Sequence, residues 1–428
     1  MAAELEIEVP TRNAGSPVLE HLFRRQAGRL VSCLAGLLGA QYLELAEDAV
    51  QEAMLRAAQL WPFHGVPEKP EGWLFRVAHN YAISALRRGV SFEGKTDRLI
   101  AALEVRKQHI DDLDIEQGLR DDELCMIFMC CHPELSSDAR VALSLKLAGG
   151  FGVNEIARIF LVEEATIAQR LVRAKRLIRE RRLSLVLPRD GELRERVDSV
   201  LEVIYLLFCG GYAAGVGEEL IRKDVCMEAL RLGRLIAASS FATPKMDALV
   251  ALMALQAARL PARTDAAGEL VLLEEQDRGL WDEGLIGLGF RYFERSIAGD
   301  EVSEWHLQAG IAANYAKAGD IDWKEILSQY DQLVAITDSP VVRLNRAVAV
   351  MRVYGAAAGL AELDVLEGSP ALRGYHLLPA VRGRMLAELG RHAEAEMAFR
   401  EALGCECSEP ERRFLERQRV GMLRTLAG

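Results

Sequence analysis

The sequence predicts an all-α protein with more than one helical domain, on three observations. Alternating runs rich in Val, Ile, Thr or Tyr are scarce, while Ala, Leu, Arg and Glu dominate with apolar residues at i, i+3 and i+4, the spacing of one helix face. Breaks rich in Gly, Pro and Ser cut the pattern at 61–72 (WPFHGVPEKPEG), 88–97 (RGVSFEGKTD), 132–138 (HPELSSD) and 187–192 (LPRDGE), with more beyond 240. A chain of 428 residues, half of them hydrophobic, is long enough for two or three domains with cores of their own.

In chain order this gives a first helical domain within 1–88, a polar linker over 89–117 that carries the acidic DDLD at 111–114, and a second helical domain over 118–187. A larger helical domain is expected over 193–428. Within it, RMLAELGRHAEAEMAFREAL sets Ala395, Phe399 and Ala402 at the small-large-small spacing of a tetratricopeptide helix pair. Gly319, Gly355 and Gly390 lie 36 and 35 residues apart, so stacked helical hairpins are expected over 303–404. The stretch 193–300 reads as helical without a period.

Composition narrows the function. The chain begins with the acidic MAAELEIEVP, and no apolar run approaches the length of a membrane span without charge, so a cytoplasmic protein with no membrane partner is expected. The eight cysteines fall mostly inside apolar helical segments, a pattern of reduced thiols. CMIFMCCHP brings Cys125, Cys130, Cys131 and His132 close in sequence, but without a CxxC spacing it reads as buried helix cysteines rather than a metal site. No HExxH, GxSxG or acid–histidine constellation appears. Neither a catalytic residue nor a metal or cofactor is expected, and the protein is not expected to be an enzyme.

Charge is uneven. The net charge is −11, yet residues 1–190 hold 27 acids against 25 bases, leaving −9 for the rest. Thirteen residues from Arg170 to Arg182 contain seven bases and one acid, Glu180. Clustering of this kind, not net charge, is what a phosphate backbone reads. The cluster ends VNEIARIFLVEEATIAQRLVRAKRLIRE, which reads as two helices joined by a short turn. Ile156, Ala157 and Phe160 share a face of the first; Ile167, Leu171, Ala174 and Ile178 recur at i, i+4, i+7, i+11 on the second. The opposite face of the second helix presents Gln169, Arg170, Arg173 and Arg176, with Thr166 near its start. Such a helix suits the major groove and the phosphates beside it.

These residues resemble region 4 of bacterial sigma factors, which recognises the −35 promoter element and docks on the polymerase flap. AEDAVQEAMLRA is similar to region 2.2, the surface for the polymerase clamp helices, and GWLFRVAHNYAISALRR is similar to the region that reads and melts the −10 element. With a short linker between regions 2 and 4, the pattern resembles the extracytoplasmic-function (group IV) sigma factors. LLFCGGYAAG, GELVLLEEQDRGLWD, SPVVRLNRAVAV and GYHLLPAVRGRMLAELGRHAEA resemble the subgroup with an appended tetratricopeptide-like domain. The resemblance spans nearly the whole chain.

It implies roles residue by residue. Asp48, Gln51, Glu52, Leu55 and Arg56 would meet the clamp of core RNA polymerase. Trp73, Arg76, His79, Asn80, Arg87 and Arg88 would face the −10 region, where separated strands need stacking surfaces and cations. Glu164, Thr166, Gln169, Arg170, Arg173 and Arg176 would face −35 DNA. Ser84 stands where the family's N-x-x-x-D pattern has Asp, and Ala168 where many members have Lys. Glu163 and Glu164 suit the helix dipole and accept from cytosine N4, yet repel phosphate, implying an unusual −35 preference. FCGGY at 208–212 departs from an expected Asn-Glu before Gly.

One motif competes. GVSFEGKT, Gly89 to Thr96, fits the phosphate loop G-x-x-x-x-G-K-[ST]. Such a loop is launched from a buried strand, and YAISALRR before it is an amphipathic, basic-ended helix, so a flexible linker is expected. The expected function is therefore promoter-specific initiation by a sigma factor bound to core RNA polymerase and promoter DNA. Its acidic C-terminal domain would tune that activity through an intramolecular contact with regions 2 and 4. A stand-alone helix–turn–helix regulator with a partner-sensing repeat domain, or a repeat scaffold that binds partner peptides, are the alternatives.

Overall fold

The computed structural model describes residues 17–89, 115–160, 162–188, 190–212 and 222–427. Among them the regular structure is helical apart from two isolated bridges, Thr264 with Leu270 and Tyr375 with Glu406. The chain forms two compact units, residues to 157 with 163–199, and 158–162 with 200–428. All of the competing phosphate-loop motif but Gly89, and most of the expected linker, lie outside the described residues.

The first unit begins with α1 (Pro17–Leu38), α2 (Leu43–His64) and α3 (Pro70–Gly89). Apolar residues at every third or fourth position make them amphipathic: Leu43, Ala46, Ala49, Val50, Ala53, Ala57 and Trp61 of α2 are all buried. Gly65 ends α2 with φ +78°, and its N–H caps the Trp61 carbonyl. The unit continues through α4 (Ile115–Cys130), α5 (Ser137–Leu143) with a π-helical turn over Ser144–Ala148, α6 (Val153–Phe160) and α7 (Glu164–Arg181). Met126, Ile127, Phe128, Met129 and Cys130 are buried on every side of α4, as in the centre of a core.

α1 serves both parts of this unit. It packs against α2 and also against α4 and the π turn. A Cβ on Gly28 would collide with the carbonyl oxygen of Ala148, so only a residue without a side chain lets the two backbones meet. The first turns of α8 (Asp190–Tyr212) also belong here. Arg196 donates to the Phe128 carbonyl, and Arg140 Nη1 donates to Ser199 Oγ at 2.7 Å.

The second unit contains the rest of α8 with α9 (Lys223–Ala237), α10 (Pro244–Ala257) and α11 (Glu283–Ser296). Nearly every residue of α10 is buried, and both α11 and the following helix pack on it. Three helical hairpins follow: α12 (Glu304–Ala316) with α13 (Trp323–Thr337), α14 (Pro340–Tyr354) with α15 (Ala356–Asp364), and α16 (Leu377–Glu388) with α17 (His392–Leu403). Their turns carry Gly319, Gly355 and Gly390 at φ +96°, +91° and +72°, with open space around each. The glycine spacing of the sequence thus reports a recurring left-handed turn rather than close packing. α18 (Glu409–Ala427) ends the chain.

Between α10 and α11 the chain runs without regular structure for most of 258–282. Glu269 in this loop pairs with Arg413 and Arg417 of α18, and Glu274 pairs with Arg352 of α14 and Arg384 of α16. At the start of α12, Ser303 N–H donates to His306 Nδ1 at 3.1 Å, which makes Nε2–H the donor to the Ser296 carbonyl at 3.2 Å. Burial holds the His306 pKa below 6.5, against the smaller opposing effects of the Ser296 bond, Glu301 and Glu304.

Gly28→Ala should lower stability to urea by about 1–3 kcal/mol, the usual cost of overpacking, whereas Gly421→Ala, in open helix surface, should be neutral or stabilising. Because the folded pKa of His306 is lowered, its contribution is fully present above the unfolded value of 6.5 and is lost as pH falls through the folded value. Thermal unfolding of the second unit should therefore weaken below about pH 6.5, and His306→Gln should flatten that dependence.

Candidate nucleic-acid interface

α7 is built as the sequence suggests. Ile167, Leu171, Ala174 and Ile178 are buried, and they leave one face of the helix to solvent. The helix ends at Arg182 in the left-handed region (φ 53°), where Leu183 N–H bonds the Ile178 carbonyl and the buried Leu183 side chain closes the last turn. Ile156 and Ala157 of α6 are buried, and Gly152 N–H donates to Glu155 Oε2 at 2.7 Å to open that helix.

On the outer face, Glu164, Gln169, Arg173 and Arg176 are exposed, while Thr166 and Arg170 are half-buried. Arg170 Nη2 lies 3.1 Å from Asp138, and Arg176 pairs at 2.6 Å with Glu180 on its own helix, which raises the guanidinium pKa further. Two further cations of α7 face α2: Lys175 Nζ bonds Glu47 Oε2 at 2.5 Å, and Arg179 lies 3.8 Å from Glu44. Arg181 pairs with Glu134 at 3.3 Å. Much of the basic run is therefore matched by acids of α2, α5 and the segment before α5. Arg173 has no acid partner among the described residues.

α2 gathers Asp48, Gln51, Glu52, Leu55 and Arg56 at i, i+3, i+4, i+7 and i+8 on the face opposite its buried stripe. Asp48, Gln51 and Arg56 are exposed, Glu52 is half-buried, and Leu55 is 54% exposed; Arg56 Nε donates to Glu52 at 2.8 Å. A lone exposed leucine is ordinary on a protein surface, and Leu55 suits a protein partner only together with further exposed apolar residues. Its continuation, Leu60, Phe63 and Val66, was not anticipated from the sequence; all three are exposed, Phe63 at 85%. The break WPFHGVPEKPEG was the available signal, since a turn at a helix end lifts its apolar residues out of the core.

On α3, Arg76, Asn80, Arg87 and Arg88 are exposed, and Trp73 is half-buried with its ring edge-on to buried Trp61 at 5.6 Å. His79 differs from the others. It is 1% exposed, its ring 5.7 Å from that of Phe75, so it belongs to the core and not to the outer face. It lies one helical turn from Phe75 and Ile83 on the buried stripe, which explains the correction. Ser84 Oγ donates to the Asn80 carbonyl at 2.8 Å, so the position that departs from the family pattern is satisfied within the helix.

The cysteine–histidine cluster holds no such surface. Cys130 and Cys131 are fully buried, and burial raises the Cys130 pKa well above its usual value. Burial, then Arg196, lowers that of His132. No disulfide joins any of the eight cysteines, and among the described residues no group of His, Cys, Asp or Glu is arranged to hold a metal. Among them also, no helix is long and apolar enough to cross a membrane.

Family models match three stretches of the chain: Sigma-70 region 2 over residues 22–91, Sigma-70 region 4 over 125–178, and a family of unknown function (DUF6596) over 196–297. The chain is 37% identical over 398 residues to the uncharacterized protein R00370 of Rhizobium meliloti (strain 1021), an alignment covering 91% of this chain and 94% of that protein. No solved structure matches it.

The Glu47–Lys175 pair, with both side chains less than a fifth exposed, should matter to folding. Glu47→Gln should cost about 1–3 kcal/mol in urea denaturation of the full chain, because it leaves an ammonium group partly buried against a neutral amide. Glu44→Gln, which touches only the exposed Arg179, should change stability by less than about 0.5 kcal/mol.

Proposed function

We propose that this chain, which belongs to the same family as the Rhizobium meliloti protein and carries regions 2 and 4 of the sigma-70 factors, is an extracytoplasmic-function sigma factor whose C-terminal helical domain tunes its activity. As a sigma-70-type factor it directs transcription initiation with core RNA polymerase on promoter DNA. The observation that carries the finer assignment is α7, with its apolar stripe turned inward and Gln169, Arg173 and Arg176 turned out.

In this reading the outer face of α2, from Asp48 to Arg56, docks on the polymerase clamp with Leu55 as its apolar anchor. Arg76, Asn80, Arg87 and Arg88 of α3 follow the −10 strands, and Trp73 offers an edge for an unstacked base. α7 lies in the major groove at −35. There Gln169 reads base edges, Arg170, Arg173 and Arg176 take phosphates or guanine, and Glu164 sits at the helix start. No covalent step is involved: binding energy held by these faces offsets the cost of opening the duplex.

The repeat of glycine turns across α12–α17 supports a tetratricopeptide-like C-terminal domain, to which we assign the regulatory role. Its contact with regions 2 and 4 and a cytoplasmic location belong to the same proposal. Arg196 and Ser199 are bound to α4 and α5 of the first unit, so a fragment that tests this should end beyond Ser199.

Co-elution of the full chain and a 1–205 fragment with core RNA polymerase from the same organism is the test. Binding by either supports the proposal, and a difference between them gives the sign of C-terminal regulation. Failure of both to bind, each shown to be folded, would leave the stand-alone DNA-binding regulator. Arg173→Ala with Arg176→Ala should weaken duplex binding by the polymerase complex and reduce the salt slope by about 2, one for each phosphate no longer neutralised.

A further inference from the structure

A cavity of about 160 Å³ lies inside the second unit, where α8, α10, α12, α13 and α14 converge. Its apolar wall is Leu252, Ile311, Ala312, Leu333 and Val342. Its polar groups, the tyrosines with Gln256, Gln308 and Asn345, can all donate, and none is an anion. Tyr205 OH donates to Gln308 Oε1 at 3.1 Å, which leaves the Gln308 amide N–H groups to the cavity. Tyr315 and Tyr330 also line it, and burial pushes the Tyr315 phenol up to about 12, so its hydroxyl keeps its proton at neutral pH. No acidic residue is in the lining.

Arg259 supplies the charge. Its neighbour Arg263 is used up internally: it donates to the Tyr212 carbonyl and stacks 3.9 Å over the Tyr212 ring. Arg259 has no carboxylate partner among the described residues. It makes one long bond, 3.4 Å, to Gln276 Oε1, and its Cζ lies 5.5 Å from the Trp281 ring centre and 5.9 Å from that of Tyr315. In the loop, Glu274 is taken by Arg352 and Arg384, and Glu269 by Arg413 and Arg417. Trp281 has Arg278 against its ring too, and its buried indole N–H lacks an acceptor. A half-buried cation without a carboxylate partner among the described residues, beside a buried indole N–H without an acceptor, is a poor arrangement unless an anion completes it.

We propose that this cavity binds a small organic carboxylate, with the carboxylate on Arg259 and the carbon body against Leu252, Ile311, Leu333 and Val342. Its volume is close to the ~150 Å³ that takes a benzene-sized molecule, so the ligand has roughly six non-hydrogen atoms. The apolar wall selects against an inorganic anion of the same charge. The single guanidinium selects against dianions.

The test uses the full-length protein with butyrate and pyruvate as probes, and sulfate and butanol as controls at constant ionic strength. A carboxylate should produce a saturable change in tryptophan emission and raise the melting temperature by about 2–4 °C, with little response to either control. Arg259→Gln should abolish both effects. Asn345→Trp should do the same by blocking the exposed rim while leaving the unliganded melting temperature unchanged, which covers the case that Arg259→Gln fails to fold. The proposal is overturned if neither carboxylate gives a saturable response, if sulfate matches them, or if the response survives Asn345→Trp.

Discussion

The meeting of α1 with the π turn at Gly28 and Ala148 is the constraint on which the first unit rests. One helix has to pack against α2 on one side and against α4 and the turn on another, and it can do so only if the backbones approach without a side chain between them. That approach joins two blocks that lie far apart in sequence. It also decides what α7 sees. With α1 closing the unit, α7 comes alongside α2, and Glu44 and Glu47 meet Arg179 and Lys175.

The concentration of cations in an acidic chain thus has two physical causes. Part of the charge is structural, since Lys175 is held by Glu47 in a site with little access to water. The remainder, above all Arg173 and the fully exposed Arg176, stays at the surface where phosphate can reach it. α2 is divided in the same way. Its acids near the N-terminus hold α7, while the face from Asp48 to Arg56 remains open to a protein partner. One helix can perform both tasks because Glu44 and Glu47 lie in its first turns, while Gln51, Glu52, Leu55 and Arg56 continue the same side further along the axis.

Much of this was legible from local pattern. The stripe Ile167–Leu171–Ala174–Ile178 is a periodic signal, and periodic signals survive folding because each residue's neighbours are fixed by the helix itself. Gly319, Gly355 and Gly390 were visible for a similar reason: a left-handed turn demands its glycine whatever lies around it. His79 was misplaced because histidine is chemically at home on either face, so motif position outweighed its place on the buried stripe. Glu47 looked like any surface acid, and Gly28 like any helix glycine. Both matter through partners more than a hundred residues away, which no window along the sequence contains. Arg259 was unreadable for the same reason, since only the fold shows that no acid among the described residues pairs with it.

The loop between α10 and α11 changes the character of the domain it crosses. An array of helical hairpins is ordinarily one-dimensional, each repeat resting on its neighbours and free to fray from the end. Here Glu269 reaches α18, and Glu274 reaches both α14 and α16, across 78 to 148 residues of chain. These clasps tie the last helix to the first half of the domain, so peeling away α18 breaks its ion pairs with a segment that precedes every hairpin. A linear stack becomes a closed loop of dependencies, with cooperative melting in place of stepwise erosion and slower assembly, because its closing pairs must be found over long stretches of chain.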